Sequence, residues 1–216
     1  MAERIVLPGE IEKESMRIIA EELAAMGKEI PADRAAVVKR VIHTTADFEY
    51  ADNLVFTDGA VALAKEALMA GCTVVTDTNM ALAGISKATL ARFGGQAVCY
   101  MADPEVAEAA KAAGTTRAYA AMGIAADRHQ GAIFAVGNAP TALIRLTELI
   151  SQGFRPALVI GVPVGFVNVV ESKEQLLSAA RQAGVPAIVA LGRKGGSGVA
   201  AAIVNALLYE ASGRTL

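Results

Sequence analysis

The sequence predicts an α/β protein of three layers, in which helices cover both faces of a doubly wound, mainly parallel, five-stranded sheet. Short apolar runs typical of buried strands alternate along the chain with longer amphipathic stretches typical of helices. No linker, low-complexity segment or internal repeat divides this alternation. We therefore predict a single domain over residues 1–216, with an N-terminal helical segment over about residues 1–50.

The composition favours a protein with much buried surface, because 54% of its residues are hydrophobic and 19% are charged. The longest apolar run, residues 157–170, is interrupted by glycine, proline and asparagine and is shorter than the roughly 20 residues of a membrane span. The charged N-terminus lacks the apolar core of a signal peptide, and a net charge of −2 gives no reason to expect nucleic acid. Two cysteines do not make a disulfide scaffold. We expect a cytoplasmic oligomer that binds neither nucleic acid nor a membrane.

Two helices are predicted before the alternating part of the chain. Apolar residues recur at helical spacing from residue 11 to residue 26, and Gly27 ends that helix. Ser15 and Arg17 lie on it, where the periodicity alone favours exposed surface positions. The second helix starts at residues 31–33 and brings His43 to its last turn.

The alternating part of the chain predicts five strands, at residues 73–76, 97–101, 132–136, 157–160 and 187–191. Helices are predicted at residues 59–70, 81–93, 105–113, from 117 onward, and at 140–150, 172–183 and 197–209. The best-defined unit is the stretch 132–143, where a turn at Gly137-Asn138 and a helix start at Pro140-Thr141 follow an apolar strand. This arrangement places free amides and the positive end of a helix dipole at a strand end, which suits an anion.

Turns rich in polar residues, glycine and proline follow four of the predicted strands. They contain Asp77 with Asn79 and the stretches 137–141, 161–166 and 192–197. In a parallel sheet these turns meet along one edge, which is where ligands bind, although ordinary connecting loops meet there as well. Arg193 and Lys194, together with the backbone donors of the glycine-rich turns, favour a site for carboxylates or phosphates.

Nucleotide binding and nucleophilic catalysis have little support in the motifs. No Gly-x-x-x-x-Gly-Lys-Ser/Thr occurs, and a degenerate dinucleotide fingerprint at residues 196–201 leaves no room for the strand that should follow it. Ser172 and Ser197 have no histidine nearby in the sequence, and no nucleophile elbow is present. We interpret Glu171-Ser172-Lys173 as a solvated helix start with Ser172 as its cap.

Histidine is scarce, since His43 and His129 are the only two in the chain. So few histidines do not build an imidazole metal site, and we expect no metal ligands. His129 lies in a stretch typical of a helix end at the surface. His43 ends a helix, where the dipole favours a protonated imidazolium, and Asp47 follows it closely. A capping histidine would give the same pattern, but a protonated histidine is also what general-acid catalysis requires.

Several stretches carry motifs that occur in the same order in one known family. They are residues 40–48, 137–143, 161–167, 171–173 and 192–197. These motifs resemble those of the precorrin-8X / cobalt-precorrin-8 methylmutase family of corrin biosynthesis, and the resemblance covers the chain from about residue 12 to residue 210. The continuation Thr44-Thr45-Ala46-Asp47-Phe48 looks closer to the anaerobic, cobalt-containing branch.

The resemblance implies an isomerase that moves a methyl group from C-11 to C-12 of a corrinoid tetrapyrrole. The product would be cobyrinate, or hydrogenobyrinate if the substrate contains no metal. The family uses no cofactor for this shift, so any cobalt belongs to the substrate. The resemblance also implies a homodimer, with transfer partners among the neighbouring enzymes of cobalamin biosynthesis. His43 matches the catalytic histidine, which protonates or hydrogen-bonds the ring near the migrating group.

The same resemblance implies a set of substrate-binding residues. The basic residues expected to pair with the carboxylates of the macrocycle are Arg17, Arg40, Arg117, Arg193 and Lys194. The segments expected to offer backbone donors are Asn138, Ala139, Pro140 and Thr141, and Gly195, Gly196 and Ser197. The apolar side chains expected against the ring faces are Met80, Ile85, Phe166 and Val167. Ser15, Asp77 and Asn79 complete the set.

Two functions from other classes stay open at this point. A corrinoid-binding carrier would pass intermediates between pathway enzymes without catalysis, and it would leave the absorption spectrum of the bound tetrapyrrole unchanged. A methylmutase would change that spectrum, because the conjugation changes when the methyl group moves. A phosphate-handling transferase would be stabilised by nucleotides, but its motif support is poor.

Overall fold

The predicted α/β architecture is confirmed by the computed structural model, which describes residues 7–214 as one mostly parallel sheet with helices on both faces. The strands are β1 (Leu54–Phe56), β2 (Thr73–Thr76), β3 (Gln96–Val98), β4 (Ile133–Val136), β5 (Leu158–Gly161) and β6 (Ala187–Ala190). Their order across the sheet is β1-β6-β5-β4-β2-β3. Strands β4, β5 and β6 are buried at every residue, as their apolar runs predict.

The sheet has six strands rather than the five predicted. The additional strand, β1, lies at the edge and pairs antiparallel with β6, with Val55 opposite Val189. Three residues are too few to show a periodicity, so β1 is defined by its pairing and not by a local pattern.

The helices are α1 (Pro8–Ala25), α2 (Ala35–Thr45), α3 (Tyr50–Asn53), α4 (Ala60–Met69), α5 (Asn79–Gly84), α6 (Lys87–Arg92), α7 (Pro104–Ala112), α8 (Arg117–Arg128), α9 (Pro140–Ser151), α10 (Val169–Ala183) and α11 (Ser197–Ala211). One face of the sheet carries α4, α5, α6 and α11, with α2 packed on α11 and α1 on α2. The other face carries α7 to α10. None of these helices, within the part of the chain that the structure describes, is long and apolar enough to cross a membrane.

Three predicted helices differ from the observed ones. The helix predicted at 81–93 is two short helices, α5 and α6. The side chain of Asn205 on α11 binds the backbone between them, since its Nδ2 donates to Gly84 O at 2.9 Å and its Oδ1 accepts from Ser86 N at 2.8 Å. The second predicted helix begins at Ala35, a few residues later than expected. Helix α10 begins at Val169, so Ser172 lies within it and is no cap.

Helix α11 accounts for much of the apolar composition. It buries nine of its fifteen residues, because the sheet lies on one side of it and α2, α4 and α5 surround the rest. A helix that is apolar on all sides is stable only in such a position. Its first residues, Ser197 and Gly198, thereby lie at the carboxyl edge of the sheet, the edge at which the parallel strands end.

Candidate active site

The predicted convergence of four turns at the carboxyl edge is confirmed by direct contacts between them. Thr78 Oγ1 lies 2.8 Å from Ser197 Oγ, which joins the turn after β2 to the start of α11. Gly196 N donates to Val162 O at 2.8 Å, and Gly165 N donates to Arg193 O at 3.3 Å. The turns after β2, β5 and β6 therefore form one continuous surface. The turn after β4 joins this surface because the Asp77 carboxylate, at the end of β2, accepts hydrogen bonds from its backbone.

Two glycines allow these turns to pack backbone against backbone. A Cβ atom at Gly137 would lie 2.7 Å from Ser197 Cα, and one at Gly195 would lie 2.1 Å from Val162 O. Both distances are too short for any side chain, so the turns can approach this closely only because glycine occupies these positions.

Asp77 is fully buried and organises the turn after β4. Its Oδ1 accepts from Gly137 N at 2.8 Å, and its Oδ2 accepts from Asn138 N at 2.8 Å and from Ala139 N at 2.7 Å. Burial raises the pKa of the Asp77 carboxyl, while these backbone hydrogen bonds lower it in part. The direct substrate contact expected of Asp77 is therefore not supported. Its side chain is buried, and both carboxylate oxygens accept hydrogen bonds from the backbone.

The same hydrogen bonds change which backbone donors the turn can offer. The amides of Asn138 and Ala139 donate to Asp77, Gly196 N donates to Val162 O, and Pro140 has no amide hydrogen. Ser197 N lies in the first turn of α11 and Thr141 N in that of α9, where an amide has no intrahelical partner. The amides expected as donors at Asn138, Ala139 and Gly196 are thus already used and Pro140 has none to offer, whereas the amides of Thr141 and Ser197 have no intrahelical acceptor.

Lys173 is a buried lysine that supports the turn after β6. Its side chain has no exposed surface, and its Nζ donates to Gly192 O and to Lys194 O, both at 2.8 Å. The prediction that Ser172 and Lys173 lie on the solvated surface is therefore wrong, because both side chains are buried. Burial also lowers the pKa of Lys173 from 10.5 to about 8.

The lowered pKa of Lys173 predicts a pH-dependent contribution to stability. Between pH 8 and pH 10.5 the unfolded chain binds the lysine proton more strongly than the folded chain does, so the free energy of unfolding rises with pH. We therefore expect wild type to gain stability relative to Lys173→Met as the pH is raised through this range. Urea unfolding of both proteins at several pH values measures the difference, and parallel pH profiles would contradict the assignment.

His43 lies in the last turn of α2, as predicted, and is exposed there. Its Nδ1 is 2.7 Å from Ser15 Oγ on α1, so the packing of α1 on α2 orients the imidazole. No other hydrogen bond to the ring occurs within residues 7–214, which leaves Nε2 available to a ligand. Ser15 is thus a partner of His43, which the surface position favoured by periodicity alone did not indicate.

An open groove of about 380 Å³ lies beside His43. Its walls come from α2, the end of α5 and one side of α11, and its lining residues are Arg40, His43, Thr44, Gly84, Gly198, Ala201, Ala202, Asn205 and Tyr209. The groove reaches the start of α11, where Ser197 and Gly198 join it to the turns at the carboxyl edge. The imidazole and the turns therefore belong to one continuous site.

The five predicted basic residues divide into two groups. In the first group, acidic side chains already balance the charge. Arg17 pairs with Glu14 and Glu21, and Arg40 pairs with Glu12 and also lies against the Tyr209 ring. Lys194 Nζ lies 2.6 Å from Asp47 Oδ2 and 2.9 Å from Glu49 Oε2. The Lys194 ammonium lowers the pKa of the Asp47 carboxyl. Arg117 and Arg193 form no ion pair within residues 7–214, so of the five predicted residues these two have a charge that is not already balanced by a carboxylate.

Arg193 and Arg117 lie at different parts of the site. The Arg193 guanidinium lies over the Phe166 ring, 5.4 Å from its centroid. Arg117 begins α8 and is exposed, next to Thr116, whose Oγ1 lies 2.8 Å from Thr141 Oγ1 in the turn after β4. Arg193 therefore lies in the turn after β6, and Arg117 lies beside the turn after β4.

The predicted apolar contacts are partly accessible. Met80, Phe166 and Val167 are exposed to 74%, 82% and 76%, so their side chains are accessible to a ligand. Asn79 is exposed at the first turn of α5. Ile85 is only 3% exposed because it packs in the core, so the ring contact expected of it is not supported.

Two residues at this edge, Thr78 and Lys173, were not predicted as site residues. Thr78 caps α5, since its Oγ1 accepts from Ala81 N at 3.0 Å, and a threonine before Asn79 is a recognisable cap signal. Lys173 falls on the apolar stripe of α10 that contains Val169, Leu176 and Ala180, so its burial could have been inferred from helical spacing.

The other histidine, His129, does not line the groove beside His43. His129 caps the end of α8, and its Nε2 lies 2.6 Å from Tyr100 OH. Burial and the neighbouring Arg128 lower the pKa of His129. Within the described residues 7–214, no group of three or more His, Cys, Asp or Glu side chains is arranged to hold a metal ion.

Comparison with known proteins gives a consistent result. A family model described as Precorrin-8X methylmutase matches residues 10–210. A cobalt-precorrin-8 methylmutase of Salmonella typhimurium is 53% identical over 81% of this chain and 80% of its own length. One of Priestia megaterium is 42% identical over 94% of this chain and 88% of its own length, and a precorrin-8X methylmutase of Pseudomonas aeruginosa is 39% identical over 84% and 86%.

The fold agrees with a solved structure of the same kind. A crystal structure of a precorrin-8x methyl mutase from Thermus thermophilus superposes with a TM-score of 0.84 at 42% identity, over 95% of this chain and 99% of that one. The family match includes Ser15, His43 and all of the turns at the carboxyl edge. The chain belongs to the precorrin-8X methylmutase family.

Proposed function

We propose that this chain is a cobalt-precorrin-8 methylmutase, an isomerase of cobalamin biosynthesis that moves a methyl group from C-11 to C-12 of the corrinoid ring to give cobyrinate. The observation that carries the proposal is the oriented imidazole of His43, held by Ser15 at the groove that opens onto the carboxyl-edge turns. The family membership and the names of the relatives from Salmonella typhimurium and Priestia megaterium support the same activity.

His43 is the general acid of the proposed reaction. With Nδ1 engaged by Ser15, the His43 ring presents Nε2–H to the macrocycle near the migrating methyl group. A proton or hydrogen bond at the ring stabilises the charge that develops as the methyl group leaves C-11. Because the product is an isomer of the substrate, the proton that His43 lends must return to Nε2 once the methyl group is bound to C-12.

The remaining surface suits a flat, polyanionic ring. Met80, Phe166 and Val167 offer apolar contact, while Arg117 and Arg193 offer charge to the carboxylate side arms. The open groove beside His43 is shallow for a macrocycle, so the ring extends from it over the turns. We expect the enzyme to be a homodimer, with the second copy of the chain near this site.

The rearrangement moves no electron to or from the protein, so the enzyme needs no redox cofactor. Cobalt, where present, belongs to the substrate. The corrinoid is the expected partner, together with neighbouring enzymes of the pathway that supply it and receive the product in the cytoplasm.

The proposed function is tested by mixing the purified protein anaerobically with cobalt-precorrin-8 and following the absorption spectrum. Conversion to a cobyrinate-like spectrum is expected, because the conjugation changes on methyl transfer. Binding without a spectral change would replace the enzyme by a corrinoid carrier. A parallel reaction with metal-free precorrin-8X tests the specificity, and faster conversion to hydrogenobyrinate there would assign the metal-free branch instead.

Arg117 is expected to act in binding and not in folding. It is exposed, begins α8 and has no ion pair within residues 7–214, so Arg117→Ala should leave the free energy of unfolding within about 0.5 kcal/mol of wild type. Loss of one charge-assisted contact should weaken corrinoid binding roughly tenfold. Spectroscopic titration and urea unfolding measure the two effects. Arg92→Ala, in the last turn of α6, is the matched control, and unaltered affinity in Arg117→Ala would remove Arg117 from the site.

A further inference from the structure

Lys173 is a buried lysine with no carboxylate partner within the part of the chain that the structure describes. Burying an ammonium without a counter-ion is unfavourable, and an apolar side chain would fill the same volume on the inner face of α10 at lower cost. The hydrogen bonds of its Nζ show what the ammonium supplies in return. Both go to carbonyl oxygens of the turn after β6, those of Gly192 and Lys194.

These two hydrogen bonds fix the backbone on both sides of Arg193. Arg193 O itself accepts from Gly165 N at 3.3 Å, so the carbonyl groups of three successive residues, 192, 193 and 194, all have donors from the protein. The following residue, Gly195, is closely packed against the Val162 carbonyl. The segment 192–195 is therefore held from two directions and has little freedom to move.

The anchored backbone leaves the Arg193 side chain as the one that faces the site. The neighbouring side chain, Lys194, is engaged by Asp47 and Glu49, whereas the Arg193 guanidinium lies over Phe166 at the exposed rim. A cation that is held in place before the ligand arrives loses less conformational entropy on binding than a mobile one does.

We propose that Lys173 is a positioning residue, which fixes the segment 192–194 so that Arg193 is presented to a carboxylate of the substrate. This inference rests on the proposed function for its substrate. It predicts that Lys173 affects affinity through Arg193, and that it does not affect the methyl shift at His43.

A double-mutant cycle tests the proposal in the full-length protein. Lys173→Met removes both donors at similar volume, and we expect the KM for cobalt-precorrin-8 to rise about tenfold while kcat stays within about twofold. In the Arg193→Ala background, Lys173→Met should raise KM no further, because the residue through which it acts is already gone. Additive effects in the double variant, or a fall in kcat with unchanged KM, would overturn the proposal.

Controls separate positioning from loss of fold. Lys111→Met, at an exposed position in the last turn of α7, should match wild type in both constants. If Lys173→Met does not fold, Lys173→Gln enters the same cycle, since its carboxamide still donates hydrogen bonds. We expect the KM of Lys173→Gln to lie between those of wild type and Lys173→Met. If the segment 192–194 became mobile in either variant while the KM stayed at the wild-type value, the proposal would be overturned.

A readout without substrate separates this inference from the proposed function. Trypsin cleaves after Arg193 and Lys194 only when the segment leaves its anchored conformation, so mass spectrometry of brief digests reports the anchoring directly. We expect Lys173→Met to increase cleavage at these two bonds selectively, at least severalfold over other sites. Unchanged cleavage in Lys173→Met would overturn the anchoring, even if the wild-type enzyme turns over. Selective cleavage in Lys173→Met together with no turnover by wild type would count against the proposed function alone.

Discussion

Replacing His43 with alanine is expected to lower kcat about 10²–10⁴-fold, the usual contribution of a positioned general acid. Binding of cobalt-precorrin-8 should stay within a few-fold of wild type, because apolar contacts and the two available arginines remain. The imidazole is exposed at the end of α2, so its removal leaves no buried cavity and the fold should be unaffected. Stopped-flow absorption measures the chemical step, and spectroscopic titration measures the affinity.

The second histidine of the chain provides the matched control. His129 is bound to Tyr100 at the end of α8, and His129→Ala should leave kcat unchanged. Ser15→Ala should reduce kcat less than His43→Ala does, since it frees the ring without removing it. Added imidazole should restore part of the rate in His43→Ala, because the groove is open to solvent. A wild-type rate in His43→Ala would exclude His43 from the mechanism.

The central strands could be predicted because their signals are local. Strands β4, β5 and β6 are short apolar runs bounded by turn residues, and such runs are buried on both faces whatever their neighbours are. Once the strands are parallel, the meeting of their following turns at one edge is a consequence of topology. The meeting of these turns at one edge could therefore be predicted from the sequence.

The partners within the site were not accessible in the same way. Ser15 and His43 are 28 positions apart and meet only because α1 packs on α2. Asp77 binds backbone groups 60 to 62 positions further along the chain. Which side chains pair with each other depends on tertiary packing, so the sequence indicated the residues at this edge without separating the structural ones from those free to bind.

The predicted set of basic residues illustrates the difference. Spacing and charge cannot distinguish Arg193, which is available at the rim, from Lys194, whose charge is already balanced by Asp47 and Glu49. Likewise, Ile85 looks like any apolar residue near a site, but it is the core side chain between two short helices whose separation Asn205 determines. Both distinctions depend on contacts with residues that are distant in the sequence.

Asp77→Asn is expected to have the second large effect, on both stability and activity. An amide of the same shape offers one acceptor oxygen where Asp77 offers two, so at least one of the amides of Gly137, Asn138 and Ala139 must face an NH₂ group. A buried donor left without an acceptor costs about 1–3 kcal/mol, and urea unfolding measures that loss. The side chain is fully buried, so water cannot easily replace the missing acceptor.

The effect of Asp77→Asn on activity follows from the position of the turn that it holds. Gly137 contacts the start of α11, and Thr141 lies opposite Thr116 next to Arg117, so a displaced turn disturbs both sides of the site. A shift of about 1 Å in such a site lowers kcat/KM roughly 10²-fold. Asp127→Asn, at an exposed position near the end of α8, should change neither quantity. If Asp77→Asn kept wild-type kcat/KM while losing stability, the turn would be structural support alone and the binding surface would lie with Arg193, Phe166 and the groove beside His43.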